Sequence, residues 1–166
     1  MPEMNIRFAT EQDWEDLVSI YNQAVDEKFR TANMEHITVE TWHDWLKQHS
    51  THTYPIFVIE MDSMIAGWCS LSPHRPGRAA YRAVAEISYY THKDYRRRGI
   101  ADLLVSHALK ISPELGFKNL IAVLLDENKA SIRLLEKHGF EKWGHLPDIA
   151  DFETKQCGQY IYGKKI

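Results

Sequence analysis

Residues 85–109, AEISYYTHKDYRRRGIADLLVSHAL, contain the most informative pattern in the sequence. A β-rich run ends near Thr91, a basic turn with Gly99 follows, and apolar residues then recur at helical spacing. The pattern predicts a strand, a turn and a helix whose first amides lack intrahelical partners. Those amides and the helix dipole attract anions, and three arginines precede the glycine. The segment therefore predicts a site for a phosphate or a pyrophosphate.

Two other interpretations of this turn remain open at this point. A strand-to-helix turn with a single glycine is common, and a run of arginines is often only a solvated surface. The sequence contains neither of two other phosphate-binding signatures, GxxxxGK[ST] and GxGxxG followed by an acidic residue. Any phosphate site must therefore depend on the basic turn itself.

Helical and strand periods alternate along the rest of the chain, in the order β-α-α-β-β-β-α-β-α-β-β. Predicted strands cover 5–9, 55–61, 64–71, 83–91, 119–125, 141–151 and 159–164; predicted helices cover 10–28, 38–49, 100–111 and 128–138; predicted loops cover 29–37 and 72–82. Helices that alternate with strands, together with hairpins, predict an α/β fold with a mixed sheet.

Composition limits the class of protein. The chain has 166 residues, of which 44% are hydrophobic and 26% charged, so we expect one globular domain over 1–166. A net charge of −3 gives no basic field that would recruit nucleic acid or a membrane surface. The acidic N-terminal region does not resemble a signal peptide, and no apolar run is long enough to span a membrane. We expect a cytoplasmic protein.

Two blocks of sequence together resemble a known family. Residues 96–101, RRRGIA, match R/Q-x-x-G-x-G/A, and residues 127–144, ENKASIRLLEKHGFEKWG, match N-x-x-[AS]-x-x-L-x-E-x-x-G-F. In this order and at this spacing, the blocks resemble the GNAT superfamily of N-acetyltransferases. The segments YNQAV (21–25) and RAAYRAVAEISYY (78–90) look like its phosphinothricin and small amino-acid acetyltransferase subgroup.

The resemblance implies a GNAT-type fold, with a mixed sheet of about six to seven strands flanked by about four helices. It also implies transfer of the acetyl group from acetyl-CoA to the primary amine of a small molecule such as an amino acid. The implied cofactor contacts are Tyr89, Tyr90, Thr91, Arg96, Arg97, Arg98, Gly99, Ile100, Ala101, Asp102, Asn128 and Ser131. The last twenty residues match less well, because KQCGQY (155–160) stands where the subgroup has a Gly-Arg-Trp-x-Asp stretch.

The implied reaction needs a base, because an ammonium ion cannot attack a thioester. Glu86 stands where the subgroup has a glutamate and is the candidate, acting directly or through water. A charged residue at a strand edge would explain it equally well. Backbone amides of 88–91 are candidates for stabilising the thioester oxyanion, especially if a bulge frees them from the sheet.

The sequence pattern is less informative about the group that protonates the leaving thiolate. Many GNAT enzymes have a tyrosine where this chain has Leu135, which cannot protonate the leaving thiolate. Candidate replacements are Tyr89, Tyr90 and Tyr160, among which the sequence does not choose.

Candidates for binding the acceptor are Phe29, Arg30, Arg75, Arg78, Tyr81 and Glu86. An arginine could bind a carboxylate with two hydrogen bonds, although solvated loop arginines would look the same.

Other classes of site and of function are weighed on the same residues. His43, His49 and His52 cluster in sequence, but no HExxH or paired Cys/His motif accompanies them, so we expect no metal. Alternative functions are a protein N-terminal or lysine acetyltransferase and a CoA-binding regulator without turnover. We expect a small-molecule acceptor, no nucleic-acid or membrane partner, and a homodimer.

Overall fold

The computed structural model describes residues 3–49 and 52–166 and forms a seven-stranded mixed sheet with helices on both faces. The strands are β1 Met4–Phe8, β2 Ile56–Met61, β3 Met64–Pro73, β4 Val84–Thr91, β5 Asn119–Leu125, β6 Glu141–Asp151 and β7 Gln156–Lys165. The helices are α1 Trp14–Asp26, α2 Val39–Gln48, α3 Ile100–Ile111 and α4 Lys129–Lys137. The predicted α/β class and the predicted order of elements are confirmed.

The sheet contains one parallel pair, and that pair is short. The strand order is β1-β2-β3-β4-β5-β7-β6, and all neighbours run antiparallel except β4 and β5. The β4–β5 pairing extends only from Val84 opposite Asn119 to Glu86 opposite Ile121. Beyond Glu86 the two strands separate, while β5 stays paired with β7 as far as Leu125. A gap therefore opens in the middle of the sheet.

The two faces of β4 have different neighbours because its side chains alternate. Ala85 and Ile87 belong to the core that α3 covers with Leu104 and Val105. Tyr90 faces the opposite layer, where α1 and α2 pack on Trp68 of β3. Even-numbered residues of β4, including Glu86, therefore lie on the face of the α1–α2 layer.

Several boundaries differ from the sequence prediction, and three of them have a clear structural reason. Thr10 precedes a 3-10 turn, Glu11–Asp13, and α1 itself begins at Trp14. The turn is held by Asp13, whose carboxylate accepts the Thr10 amide at 2.7 Å and two hydrogen bonds from Arg7. β3 continues to Pro73, and β7 begins at Gln156 rather than 159, because cross-strand pairs with β4 and β6 extend both strands. Within the described ranges, no helix has the length and apolar character of a membrane span.

Candidate active site

A cleft of about 670 Å³ occupies the gap between β4 and β5. It is bordered by the end of α1, the basic turn before α3, and the first turns of α4. Its lining includes Ile20, Ala24, Glu27, Arg30, Tyr89, Tyr90, Thr91, Arg96, Arg97, Gly99, Ile100, Ala101, Asp102, Asn128, Ala130, Ser131, Arg133 and Leu134. All the residues that the sequence predicted for cofactor binding are in this set except Arg98.

Backbone groups of β4 point into the gap. The Ala83 carbonyl accepts the Lys118 amide on the β5 side, whereas the His92 amide donates to Ala66 on the β3 side. Because backbone groups of a strand point alternately to its two edges, the amides of Tyr89 and Thr91 face the gap. The amide of Ser88 faces β3 instead, and the pairing of β3 with β4 has no register shift. The amides of 89 and 91 are thus freed by strand separation, and the expected bulge is absent from this part of the chain.

The turn before α3 has the geometry of an anion site. Gly99 has φ 77° and Arg97 has φ 60°, so the chain passes through left-handed conformations immediately before the helix. The first hydrogen bond of α3 runs from the Leu103 amide to the Gly99 carbonyl at 3.0 Å. The amides of the preceding turn are consequently free of intrahelical acceptors and lie at the cleft.

The three arginines of the turn have different surroundings. Arg96 is paired with Glu27 at the end of α1, and Arg30 lies 3.4 Å from the other Glu27 oxygen. Arg98 donates to the Met61 sulfur at 3.6 Å and lies over the Tyr95 ring, so its side chain is outside the cleft. Arg97, which lies between them, lines the cleft.

The first residue of the predicted fourth helix is a cap that also contacts the basic side of the cleft. The Asn128 Oδ1 atom accepts the Ser131 amide at 3.3 Å, as the sequence predicted, and accepts Arg30 Nη1 at 2.9 Å. Arg30, an acceptor-site candidate in the sequence, is therefore a lining residue of the cleft.

Asp102 connects α3 with the end of α4. Its carboxylate accepts hydrogen bonds from Lys137 at 2.7 Å and from His138 at 2.9 Å. These bonds, the one from Lys137 first, lower the pKa of Asp102 and keep it ionised. These hydrogen bonds hold α3 and the end of α4 together, and both helices border the cleft.

Two tyrosines of β4 line the cleft with their hydroxyl groups protonated. Burial raises the pKa of Tyr89 to about 12, and the Ser131 hydroxyl is its hydrogen-bond partner. Burial also raises the pKa of Tyr90, whose ring packs between Tyr21 and Trp68. Leu135 is buried in the core, and the neighbouring Leu134 lines the cleft.

Glu86 has a side-chain partner that sequence reasoning missed. It is on the α1–α2 face, four residues before Tyr90, and is not part of the cleft lining. The His74 Nδ1 atom lies 3.4 Å from Glu86 Oε2, and the His74 ring meets the Tyr81 ring edge to face at 5.3 Å between centroids. A histidine in a Pro- and Arg-rich loop gives no local signal, since its contact depends on the pairing of β3 with β4.

The other predicted acceptor residues are spread around this region. Tyr81 belongs to a 3-10 turn, Ala79–Tyr81, and contacts Glu86 only through His74. Phe29 packs on Phe152 at 4.9 Å between centroids, near the start of β7. Arg75 and Arg78 are exposed in the loop after β3. These four residues are not brought together with the cofactor cleft.

One group of side chains has the chemistry of metal ligands. Ligand atoms of Asp126, Glu127 and Cys157 lie within 4.8 Å of one another. Glu127 is already paired with Lys155 at 2.8 Å, and Asp126 accepts the Gly158 amide at 3.0 Å. Both carboxylates therefore have protein partners.

Comparison with known proteins identifies the family. The family model described as an acetyltransferase (GNAT) domain matches residues 3–141. YwnH of Bacillus subtilis, assigned by name to the phosphinothricin acetyltransferases, is 36% identical over 98% of this chain and 99% of its own. Phosphinothricin N-acetyltransferase of Streptomyces viridochromogenes is 30% identical over 86% of this chain and 77% of its own.

A solved structure, that of ribosomal-protein-alanine N-acetyltransferase from Brucella melitensis, superposes with a TM-score of 0.91. It is 30% identical and covers 98% of this chain and 99% of its own. The family model and these relatives agree, and the chain belongs to the GNAT acetyltransferase family.

Proposed function

We propose that this acetyltransferase moves the acetyl group of acetyl-CoA to the primary amine of an amino acid or an amino-acid analogue. The observation that carries the proposal is the cleft in which free amides of β4 adjoin the first turn of α3. The names of the relatives, which include phosphinothricin acetyltransferases and an L-amino acid N-acyltransferase, support a small acceptor.

The cofactor would be held mainly by backbone groups. The amides of 97–102 bind the pyrophosphate, and the Arg97 side chain also lines the cleft. The amides of Tyr89 and Thr91 bind the pantetheine arm or the thioester oxygen, and Asn128 and Ser131 close the opposite wall. The side chain of Arg98 has no part in this arrangement.

The free energy needed to remove the amine proton depends on the pKa of the acceptor amine. For an α-amino group with a pKa of ~8, deprotonation at pH 7 costs about 1.4 kcal/mol, and for a lysine with a pKa of ~10.4 it costs about 4.6 kcal/mol. Glu86 takes this proton, directly or through one water molecule. Its place four residues before Tyr90 on the same face of β4 supports an acceptor site on the α1–α2 side.

The leaving thiolate has a candidate hydrogen-bond donor in the cleft. Tyr89 lines the cleft beside Ser131, whereas the ring of Tyr90 is packed between Tyr21 and Trp68, and Tyr160 packs against Lys142 and His145. Because burial raises the pKa of Tyr89 to about 12, its hydroxyl donates a hydrogen bond to the sulfur rather than transferring its proton. A thiol with an ordinary pKa near ~8.5 also leaves without this help.

The chemistry needs no metal, since backbone dipoles and a carboxylate supply the charge stabilisation and the base. The composition supports a cytoplasmic enzyme without nucleic-acid or membrane partners. A homodimer is consistent with the exposed Trp143 and Ile149 on the edge strand β6.

A protein acceptor is the second candidate, and the name of the Brucella melitensis relative favours it. Release of free CoA thiol should be measured with acetyl-CoA and, in turn, free amino acids, polyamines and peptides. Turnover with amino acids supports the proposal, whereas turnover with peptides alone supports the second candidate. A folded protein that binds CoA but turns over none of them would be a regulator.

A further inference from the structure

We infer that His74 is a positioning residue for Glu86. The inference rests on the proposed role of Glu86 as the base. In this role, the imidazole holds one carboxylate oxygen of Glu86 by a hydrogen bond, so that the other oxygen faces the amine. The sections above give His74 no function, and the loop in which it lies was predicted only to bind the acceptor.

Strand register brings the two side chains to one face. Ser72 of β3 is the cross-strand partner of Glu86, and Pro73 is the partner of Ala85. His74 follows immediately, and alternation along the strand puts it on the side of Ser72 and Glu86. Its Nδ1 atom then reaches Glu86 Oε2 at 3.4 Å.

The Glu86 carboxylate has one recorded hydrogen-bond partner in the described part of the chain, and it is His74. On the other side, its strand neighbour Ile121 is apolar. The Oε1 atom is therefore free to accept a proton, while Oε2 is held. The side chains of His74 and Glu86 are 27% and 35% exposed, so the pair is open to an acceptor and to water.

The His74 ring has its own support. The Tyr81 ring packs edge to face against it at an angle of 85°. The groups facing the imidazole are thus Glu86 from β4 and Tyr81 from the 3-10 turn. Arg75 and Arg78 belong to the same loop but have no recorded contact with the ring in the described residues.

The geometry gives the two carboxylate oxygens of Glu86 different tasks. The imidazole donates its Nδ1 proton to Oε2, and the amine proton goes to Oε1, so that no proton needs to pass through the ring.

Two substitutions separate the hydrogen bond from the packing. In His74→Asn, the side chain still has an N–H donor bonded to Cγ, as Nδ1 is in histidine, but the ring is lost. In His74→Phe, a ring still packs against Tyr81, but there is no hydrogen-bond donor. We expect His74→Phe to lower kcat by about tenfold with the KM for acetyl-CoA unchanged, because a hydrogen bond to a charged group is lost. We expect His74→Asn to keep most of kcat, because the side-chain amide still donates a hydrogen bond to Glu86 Oε2.

The decisive measurement is a double-mutant cycle with Glu86→Gln, using steady-state rates of CoA release from pH 5.5 to 9. If His74 acts through Glu86, His74→Phe costs nothing further in the Glu86→Gln background. A wild-type rate for Glu86→Gln would overturn the proposed base instead. If Glu86→Gln is defective, three results would overturn the positioning role. These are a fully active His74→Phe, equal losses of rate in His74→Phe and His74→Asn, and losses that add in the double mutant.

Discussion

At the scale of single residues, Gly99 contributes a left-handed backbone conformation, and no side chain, to the proposed anion site. A Cβ added at this position would meet nothing within 4 Å, yet φ is 77° and the residue lines the cleft. The glycine is therefore needed for backbone conformation and for the space that a pyrophosphate would occupy. Gly116, in the turn between α3 and β5, has φ 89° and equally open surroundings but lies outside the cleft.

This pair of glycines gives a matched test. Gly99→Val and Gly116→Val should each cost about 1–2 kcal/mol in the free energy of unfolding, because a branched side chain is strained in this conformation. Only Gly99→Val should abolish CoA binding, measured by isothermal titration calorimetry. Normal affinity in a folded Gly99→Val protein would show that the pyrophosphate lies elsewhere.

Glu86 offers a second prediction at this scale. Glu86→Gln keeps the shape of the side chain but removes its basicity, so the rate at pH 7 should fall by about 10²–10⁴. The defect should shrink as the pH approaches the pKa of the acceptor amine, which then needs no base. Recovery below about pH 9 indicates an α-amino acceptor, and recovery about two pH units higher indicates a lysine.

Two outcomes complete the test of Glu86. CoA affinity should be unchanged in Glu86→Gln, since Glu86 is not part of the cofactor cleft. A wild-type rate at pH 7 would leave Glu86 as a strand-edge carboxylate.

At the scale of elements, the first strand, the 3-10 turn and β2 are held by an ionic cluster. Arg7 binds Asp13 at 2.8 Å and Glu60 at 2.7 Å. The hydrogen bonds from Arg7 hold the pKa of the nearly buried Asp13 below its usual value. The ionised carboxylate therefore stabilises the fold above the ordinary carboxylate pKa of ~3.9, and that contribution is lost as the pH falls through the lowered value.

Asp13→Asn should accordingly lower the free energy of unfolding by about 1–3 kcal/mol at pH 7. The difference from wild type should narrow below about pH 4, as urea unfolding at several pH values would show. Asp16→Asn, in the exposed first turn of α1, is the matched control and should have little effect at any pH. Equal stability of Asp13→Asn and wild type at pH 7 would contradict this account.

Local patterns predicted the features that depend on short stretches of chain, such as the turn with Gly99 before α3 and the helix that follows Asn128. They did not predict contacts between distant segments. The pairing of Arg96 with Glu27 joins residues 69 positions apart, and the contact of His74 with Glu86 requires the register of β3 with β4. The position of the Arg98 side chain likewise depends on a distant segment, because it donates to the sulfur of Met61, 37 positions earlier.

At the scale of the whole molecule, the sheet consists of two halves with a narrow connection. β1 to β4 form one half and β5 to β7 the other, and three residue pairs join them. Separation of strands is not visible in a sequence, because the residues of β4 and β5 have ordinary strand character on both sides of Glu86. A cofactor that contacts β4, α3 and α4 would bridge the two halves across the gap.

The open edge of β4 has a consequence for hydrogen exchange. Amides of Tyr89 and Thr91 face the gap and should exchange with solvent quickly in the free protein, whereas that of Tyr90 faces β3 and should exchange slowly. Acetyl-CoA should slow exchange at 89 and 91 and leave 90 nearly unchanged, as NMR-detected exchange would show. Unchanged exchange at 89 and 91 under saturating acetyl-CoA would mean that the ligand does not pair with this edge. Alternate amides along one strand would thus report occupancy of the cleft without any substitution in the chain.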